Sequence, residues 1–542
     1  MNNKEIARSF NLLAKLMELH NENPYKIRSY QNASSLLSKL GTPLAAMSPE
    51  EIQSLKGVGS AISGKIQELL ETGKMNTLER YKEKTPLGIQ QLVMIKGLGA
   101  KKIMTAWKDL GVETAGELLY ACEENRLIDL KGFGQKTQEE VRKQLQFFLA
   151  NQSRFLYPAA EKVATQLAGI LKKSLPESRI EFTGALRRCE AIIDRLELIV
   201  SSRGSLDKIL ADQPKWSVQS AGEGKWTGIF PPSYSFEIIE STEESFEIDW
   251  FLTTGPDHLA DKVSNQTALK TEAECFHFLD LPVMPPEARN LLTLEKAPDE
   301  DLVSGEDIKG ILHVHSTYSD GVDTLEALST HVKNQGYYYL GITDHSQIAV
   351  YANGVSPDRL TQQWNEIDRL NEGMTGFTIL KGIECDILSD GSLDYEDDVR
   401  ALFDFVIASV HTNIKMDENK ATSRIIKAIE HPHTNILGHP TGRLLLARDG
   451  YPLDMERVIN ACAANQVAIE LNASPYRLDI DWTWIRKATA KGVAIAVNPD
   501  AHAKEAISDI RYGLWAARKG WLTSGQCVNT WSVDQFLRFC QK

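Results

Sequence analysis

The sequence predicts a multidomain chain with a helical front, an α+β middle and a C-terminal parallel α/β barrel. Three observations predict it. Residues 1–150 place apolar residues at three- and four-residue spacing with few β-branched runs. The middle holds two long strand-and-turn segments, "SRIEFTGALRRCEAIIDRLELIVSS" and "SYSFEIIESTEESFEIDWFLTTG". From Ile311 onward, short apolar strands alternate with helical stretches, which is the pattern of a parallel sheet. A length of 542 residues is too great for one core. With 42% hydrophobic and 25% charged residues the composition is globular, which argues against disorder. No window approaches the roughly eighteen apolar residues of a membrane span, and "MNNKEIARSFNLLAKL" lacks a signal peptide's apolar run, so no membrane association is expected. Seven scattered cysteines without a CxxC pair read as free thiols of a reducing cytoplasm.

The front is the basic part. Residues 1–150 hold 21 Lys+Arg against 17 Asp+Glu, whereas the remainder holds 39 against 56, so nucleic-acid affinity is expected in front. There one pattern recurs three times, in "LKGVGSAISGKIQELL", "IKGLGAKKIMTAW" and "LKGFGQKTQEEVRKQL". Each copy is an apolar residue, Lys, Gly-x-Gly and then a helix. The glycines permit a tight turn with positive φ that leaves backbone N–H groups exposed at the helix start, a cradle for phosphate that reads no base. A lone glycine between helices is usually a C-cap, but three copies with the same flanks are not. The copies resemble helix-hairpin-helix motifs, and Lys56, Gly57, Gly59, Lys65, Lys96, Gly97, Gly99, Lys131, Gly132 and Gly134 are the candidate DNA contacts. The expected divisions are 1–82 and 83–150 for the hairpin domains, 151–295 for the α+β part, 296–309 for a charged linker and 310–542 for the barrel.

Almost every barrel strand finishes in a residue that can hold a metal. In order these are His313 and His315, Asp344 and His345, Glu384, His411, His439, Glu470, and Asp500 with His502. The C-terminal strand ends of a βα-barrel share one face, so these side chains should converge. His313 and His315 lie at i and i+2, on one side of a strand, and the same spacing recurs at Asp500 and His502. Imidazole and carboxylate without thiolate suit zinc, manganese or iron and do not choose among them.

The segments "HVHSTYSDG", "TDH", "GIECDI", "SVH", "GHPTGR" and "NPDAH", in this order, resemble the polymerase-and-histidinol-phosphatase (PHP) domain, in the version fused to bacterial family X DNA polymerases. The resemblance covers essentially all of 305–542 and implies a distorted (β/α)7 barrel with a trinuclear centre. It carries nine ligands onto His313, His315, Asp320, His345, Glu384, His411, His439, Asp500 and His502. It implies one ion on His313, His315, Glu384 and Asp500, a second on Glu384, His411 and His439, and a third on Asp320, His345 and His502. Ions bridged by a carboxylate sit about 3.5–4 Å apart, the arrangement for in-line displacement at phosphorus, so phosphoester hydrolysis is the expected reaction. Glu384 and His345 are the expected catalytic centre of the ligand set. Arg443 is weighed as a phosphate clamp against a surface salt bridge. Asp344 and Glu470 are expected to orient ligands.

The front and middle resemble the rest of a family X polymerase. "NPYKIRSYQNAS" and the first hairpin are similar to its lyase-like small domain, the other hairpins to its fingers, and "TGALRRCEAIIDRLEL" to its nucleotidyltransferase-like palm. The pattern breaks in the palm. Ala185 stands where the family has a triphosphate-binding serine before Arg188, and the Asp-x-Asp positions hold Arg195 and Glu197. Asp249, in "FEIDWF", is left as the candidate third carboxylate, and Asp194 is one residue out of register. A guanidinium at a magnesium position repels the ion, so polymerisation is expected to be lost or severely weakened, with no magnesium held there. Lys65 falls at the family's lyase lysine but reads first as a phosphate contact.

The reading is a monomeric, cytoplasmic, nucleoid-associated repair protein that grips gapped, nicked or 3′-recessed DNA without regard to sequence and hydrolyses phosphoesters with three divalent ions. The favoured activity is a 3′→5′ exonuclease, with 3′-phosphatase or abasic-site cleavage as related outputs. The alternatives are a working gap-filling polymerase, a small-molecule phosphatase of the histidinol-phosphate kind and a non-catalytic scaffold.

Overall fold

The structure is a computed structural model. It describes residues 1–542 apart from 2, 41, 96–97, 129, 150–153, 203–205, 214, 223, 232, 267, 293–296, 299 and 542, and gives no side-chain environment for 4, 39 and 147. The chain divides into two compact units, Met1–Leu149 and Ala150–Lys542.

The first unit is helical. Its hairpins join Pro49–Ser54 to Ser60–Thr72, Leu87–Leu92 to Ala100–Leu110, and Ala115–Glu123 to Gln135–Leu149. Only the first glycine of a hairpin takes the left-handed conformation, with φ +94° at Gly57 and +90° at Gly132. The second glycine is extended and starts the next helix, as Gly59 and Gly99 do at φ −84° and −73°. Neither of these N-caps offers a side-chain oxygen, so the helix N–H groups stay available to an outside acceptor. The space beside Gly57, Gly59, Gly132 and Gly134 is open. Lys96 and Gly97 lie outside the described residues.

The second unit begins with β1 (Phe155–Leu156), β2 (Ile180–Phe182), β3 (Ile192–Ile193), β4 (Leu196–Ser201), β5 (Ser217–Gly222), β6 (Lys225–Phe230) and β7 (Tyr234–Ser241). Five of them form a sheet in the order β2-β4-β7-β6-β5, with β4 and β7 parallel and the other pairs antiparallel. The predicted strand at "FEIDWF" is instead a helix, Phe246–Thr254. The reason is local. Phe246 and Trp250, four residues apart, bring their rings within 5.9 Å in a tilted pair, and Glu247 and Asp249 place acids in the first turn, where the helix dipole favours them.

The barrel strands are β8 (Gly310–Val314), β9 (Tyr339–Ile342), β10 (Thr378–Asp386), β11 (Phe405–Ser409), β12 (Ile436–Leu437), β13 (Ala468–Asn472) and β14 (Ile495–Asn498). They pair in sequence order, all parallel. Closure from last to first is a narrow bridge at Val314 and Ala501, where the His315 N–H donates to the Ala501 carbonyl at 2.9 Å. Tyr339 and Phe405 fill the lower barrel and meet Phe536 of the C-terminal helix Val533–Cys540. Gly310 and Gly382 make room for these rings: a Cβ at Gly382 would lie 2.5 Å from Phe405 and 2.7 Å from the Ile342 carbonyl.

Residues 302–309, expected as linker, join the barrel: Val303 is buried with its N–H on the Leu522 carbonyl, and Lys309 bonds Asn529. The α+β part is fastened to the barrel by buried polar contacts. Lys519 Nζ donates to the Arg188 carbonyl at 2.8 Å and meets Glu190 at 3.0 Å, and Arg518 donates to Glu287 at 2.7 Å. The Trp521 indole donates to the Ala288 carbonyl. Among the described residues no helix is long and apolar enough to cross a membrane.

Gly382→Ala should therefore overpack the barrel and cost about 1–3 kcal/mol, read as a lower urea midpoint for the second unit at unchanged slope. An unchanged midpoint would show that the Phe405 ring yields freely.

Candidate metal centre

The strand ends gather a polar cluster inside an apolar barrel. His313, His315, His345, Glu384, His439, Asp500 and His502 are buried, and Asp320 and His411 nearly so. Glu384, near the end of β10, is the hub. Its Oε1 lies 2.9 Å from His439 Nε2, 3.1 Å from His411 Nε2 and 3.3 Å from His313 Nε2. Its Oε2 lies 3.0 Å from His345 Nδ1 and 3.6 Å from His315 Nε2. Asp500 Oδ1 reaches His315 Nε2 at 3.2 Å and His313 Nε2 at 3.3 Å. Asp320 Oδ2 reaches both His345 and His502 at 3.5 Å.

Four ligand sets have atoms within 4.8 Å of one another: His315 with Asp320, His345 and His502; His313 with His315 and Asp500; His313 with Glu384 and His439; and His345 with Glu384 and His411. All nine predicted ligands are thus brought together. His411 and His439 fall in separate sets that share Glu384, whereas the family scheme groups them.

Simple strand alternation does not present these residues. Pairing between β8 and β9 shifts between Ile311 and Val314, and His313 sits at φ +60° within the bulge. His315, Asp500 and His502 lie past their strands, and Asp500 holds φ +52°. Left-handed conformations at non-glycine ligands cost energy that the surrounding contacts must supply.

Those contacts are specific. Glu470 Oε1 accepts from His313 Nδ1 at 2.6 Å and from Asn498, while its Oε2 accepts the His439 N–H. Asp344 accepts from the N–H and hydroxyl groups of Ser316 and Ser319 and from Gln363, fixing the turn that carries Asp320. Asp386 Oδ1 lies 3.1 Å from His411 Nδ1, and Asn472 donates to Asp500 Oδ2 at 2.9 Å. Asp386 was not foreseen. Its signal was the Glu-x-Asp spacing of "GIECDI", which puts it on the same strand face as Glu384.

The donor set fits divalent cations. His313 Nε2, both ring nitrogens of His345, His439 Nδ1 and Glu384 Oε2 are buried without a hydrogen bond. Native interiors do not leave so many polar atoms unsatisfied in one place without a purpose. Charge agrees. Burial alone would raise Glu384, yet His411, His313 and His345 hold its carboxyl well below the ordinary range. Asp320, beside His502 and His345, and Asp500, beside His313 and His315, are likewise held low against burial. Burial opposes protonation of His411, but Glu384 and Asp386 outweigh it and raise the imidazole to about 10. Burial and the neighbouring His502 and His345 lower His315 to about 4. A cation on the carboxylates would take over the role these protons play.

Arg443 is committed elsewhere. Its guanidinium donates to Asp481 at 2.7 Å and to the carbonyls of Arg477 and Leu478, so it braces a loop instead of facing phosphate.

The polymerase-like site is closed by ion pairs. Arg195 contacts Glu237 at 3.0 Å and Glu197 at 3.4 Å, on neighbouring parallel strands where Glu197 and Glu237 are in register. Glu237 is the carboxylate that sequence reasoning missed. Asp249, proposed for that place, lies on the helix and accepts from Ser241 and Ser245 at 2.6 and 2.8 Å. Glu197 Oε2 accepts the Ala185 N–H at 2.8 Å, and a Cβ at Gly184 would collide with that carboxylate. An acid therefore fills this turn. Arg187 is held bidentately by Glu272, and Arg188 donates to the Thr254 carbonyl. Asp194 is exposed and pairs with Arg154. Lys65 lies over the Tyr30 ring, 5.9 Å from its centroid.

Comparison with known proteins follows the same division. Residues 1–75 match the family model of a helix-hairpin-helix domain, 89–146 that of a SAM-like helix-hairpin-helix tandem, and 312–516 that of the PHP domain. The chain is 34% identical over 571 aligned positions to the DNA polymerase/3′-5′ exonuclease PolX of Bacillus subtilis (strain 168), covering 99% of this chain and 100% of that protein. Probable phosphatases resemble the barrel: one from Thermoanaerobacter sp. (strain X514) is 28% identical across 37% of this chain and 88% of its own length. Another, from Syntrophotalea carbinolica, is 25% identical across 40% and 90%. PHP domains are metal-dependent, and the clusters of this barrel suit that chemistry.

Two outcomes follow from the geometry. Glu384 and Asp386 favour the protonated form of His411 when no metal is bound, whereas a ligand must be neutral, so loading manganese should release protons. Apparent affinity in a chelator competition should then rise between pH 6.5 and 8, and a pH-independent affinity would contradict this. Asp386→Asn should weaken manganese binding about 10–100-fold by freeing the His411 ring.

Proposed function

This chain belongs to the family of bacterial PolX proteins, family X DNA polymerase/3′-5′ exonucleases with helix-hairpin-helix domains and a C-terminal PHP domain, and on that footing we propose that it is a DNA-directed phosphodiesterase whose chemistry resides in the barrel. The favoured activity is 3′→5′ exonuclease on gapped, nicked or 3′-recessed DNA in the cytoplasm, acting as a monomer in repair. One observation carries the reading: a single buried carboxylate, Glu384, lies within 3.6 Å of five imidazoles at the mouth of the barrel. That arrangement suits phosphoester hydrolysis by more than one divalent ion.

In this reading His313, His315, Asp320, His345, Glu384, His411, His439, Asp500 and His502 hold three divalent ions. Bound there, such ions supply a nucleophilic water at neutral pH and neutralise the phosphate oxygens. Glu384 would be available to more than one ion, since its two oxygens face different imidazoles. Glu470 keeps the His313 Nε2 lone pair aimed inward by engaging Nδ1, and Asp386 does the same for His411. Asp344 holds the Asp320 turn rigid. The hairpins grip the backbone through open helix starts and adjacent lysines, which makes binding indifferent to sequence and sensitive to salt. Hydrolysis at a 3′ terminus breaks the bond from phosphorus to the penultimate 3′ oxygen and releases a 5′-mononucleotide.

Arg195 supports loss of polymerisation, because it supplies to Glu197 and Glu237 the positive charge that magnesium would bring. The probable phosphatases that match the barrel favour a second output, removal of a 3′-phosphate at the same centre.

Incubation of 3′-recessed and gapped DNA with manganese should shorten the strand from its 3′ end. His345→Ala should reduce the rate by at least about a hundredfold, and Glu237→Ala should not change it. Primer extension on the gapped duplex should give no product even with manganese. Extension abolished by Glu237→Ala would restore the polymerase reading.

A further inference from the structure

The mouth of the barrel carries apolar side chains that no packing demand explains. Six large hydrophobic residues of the barrel are exposed among the described residues: Val322, Tyr338, Ile348, Val350, Leu402 and Leu446. Tyr338 and Leu402 precede β9 and β11, at the end away from the metal ligands. The other four lie on loops that leave the C-terminal strand ends. Val322 follows Asp320 by two residues, and its N–H donates to the carbonyl of His502. Ile348 and Val350 follow His345 by three and five residues, and Val350 is 83% exposed. Water disfavours such a side chain unless something apolar meets it in use.

The loop that carries Ile348 and Val350 is built to hold its shape. The Ile348 N–H donates to Asp394 at 2.8 Å, the Gly354 N–H to Ala349, and the Val355 N–H to His345. Asn353, at φ +53°, donates from its side chain to the Ser319 carbonyl and so ties the loop to the turn that presents Asp320. Gly354 cannot be replaced, because its Cβ would fall 2.1 Å from the Ser346 carbonyl. Between the exposed tip and the metal ligands stands Tyr351, whose ring centre is 6.1 Å from that of His345 and 6.4 Å from that of His411. An aromatic ring backed by two ligand imidazoles and flanked by rigid aliphatic side chains offers a surface for a flat apolar group next to the reacting phosphate.

The geometry points to this loop as the seat of the terminal nucleoside: Tyr351, Ile348 and Val350 contact the base and sugar of the nucleotide being removed, and so determine what the centre accepts. This rests on the exonuclease reading above and adds to it, because the metal ligands recognise only the phosphate. Contact between a base and an aromatic ring is strong and indifferent to base identity, as a non-specific exonuclease requires.

The test uses the full-length protein with manganese and two oligonucleotides, each annealed to a longer strand as a 3′-recessed duplex. They differ only in the 3′-terminal residue, a normal nucleotide in one and an abasic tetrahydrofuran nucleotide in the other. Wild type should remove the normal terminus with kcat/KM about tenfold or more above the abasic one. That ratio should fall to about threefold or less in Val350→Asp and in Tyr351→Ala, and Tyr351→Phe should retain it. Val350 is exposed, so its variant reports on contact and not on folding, and Leu402→Asp at the far end of the barrel should keep the wild-type ratio. A wild-type ratio near one, or a ratio that survives in both loop variants, overturns the assignment while leaving the exonuclease intact. Failure to cleave either oligonucleotide would instead remove the exonuclease reading, and this assignment with it.

Discussion

Five imidazoles around one buried carboxylate set the terms for the rest of the second unit. Glu384 is 1% exposed, and an unpaired carboxylate in such a place would be costly. Without a cation the acids Glu384 and Asp386 favour a proton on His411, whose imidazole is raised to about 10 although burial opposes it. With cations the same atoms become ligands. Either way the barrel must hold positive charge at its mouth. The bulge at His313, the left-handed backbone at Asp500 and the buried acids Glu470, Asp344 and Asp386 serve to place that charge.

The polymerase-like part meets a related constraint in the opposite way. Its sheet still brings Glu197 and Glu237 into register, but the space between them is met by the guanidinium of Arg195, just before β4. Glu197 in turn occupies the turn at Gly184 and Ala185. The neighbouring turn is fastened to the barrel by Lys519 through Arg188 and Glu190. In the reading proposed above, a pair of acids already engaged by a guanidinium suits this region to support and not to turnover.

The barrel was legible in the sequence because each strand is a short apolar run that ends in a metal-competent residue, and both signals are local. Eight of the nine candidate ligands follow from those strand ends, while Asp320, in the Ser-Asp-Gly turn, came only from the resemblance to the PHP domain. What escaped depended on tertiary geometry. Asp249 reads as a strand carboxylate in the sequence, but the four-residue spacing of Phe246 and Trp250 places it on a helix. Glu237, on β7, went unnoticed because its partnership with Glu197 exists only through strand register. Arg443 was weighed as a phosphate clamp, since a guanidinium beside a ligand motif gives no hint that carbonyls of residues 477 and 478 will consume its donors. Residues 302–309 read as a charged linker, although Val303 and Ile308 were enough to bind them to the barrel.

The central claim is spatial: cations gather at the barrel mouth and nowhere in the polymerase-like sheet. Anomalous scattering from crystals of the full chain soaked in manganese tests it most directly. The account predicts strong peaks enclosed by Glu384, Asp320, Asp500 and the six histidines, with none between Glu197 and Glu237. Peaks at the sheet, or a barrel mouth without any, would contradict it.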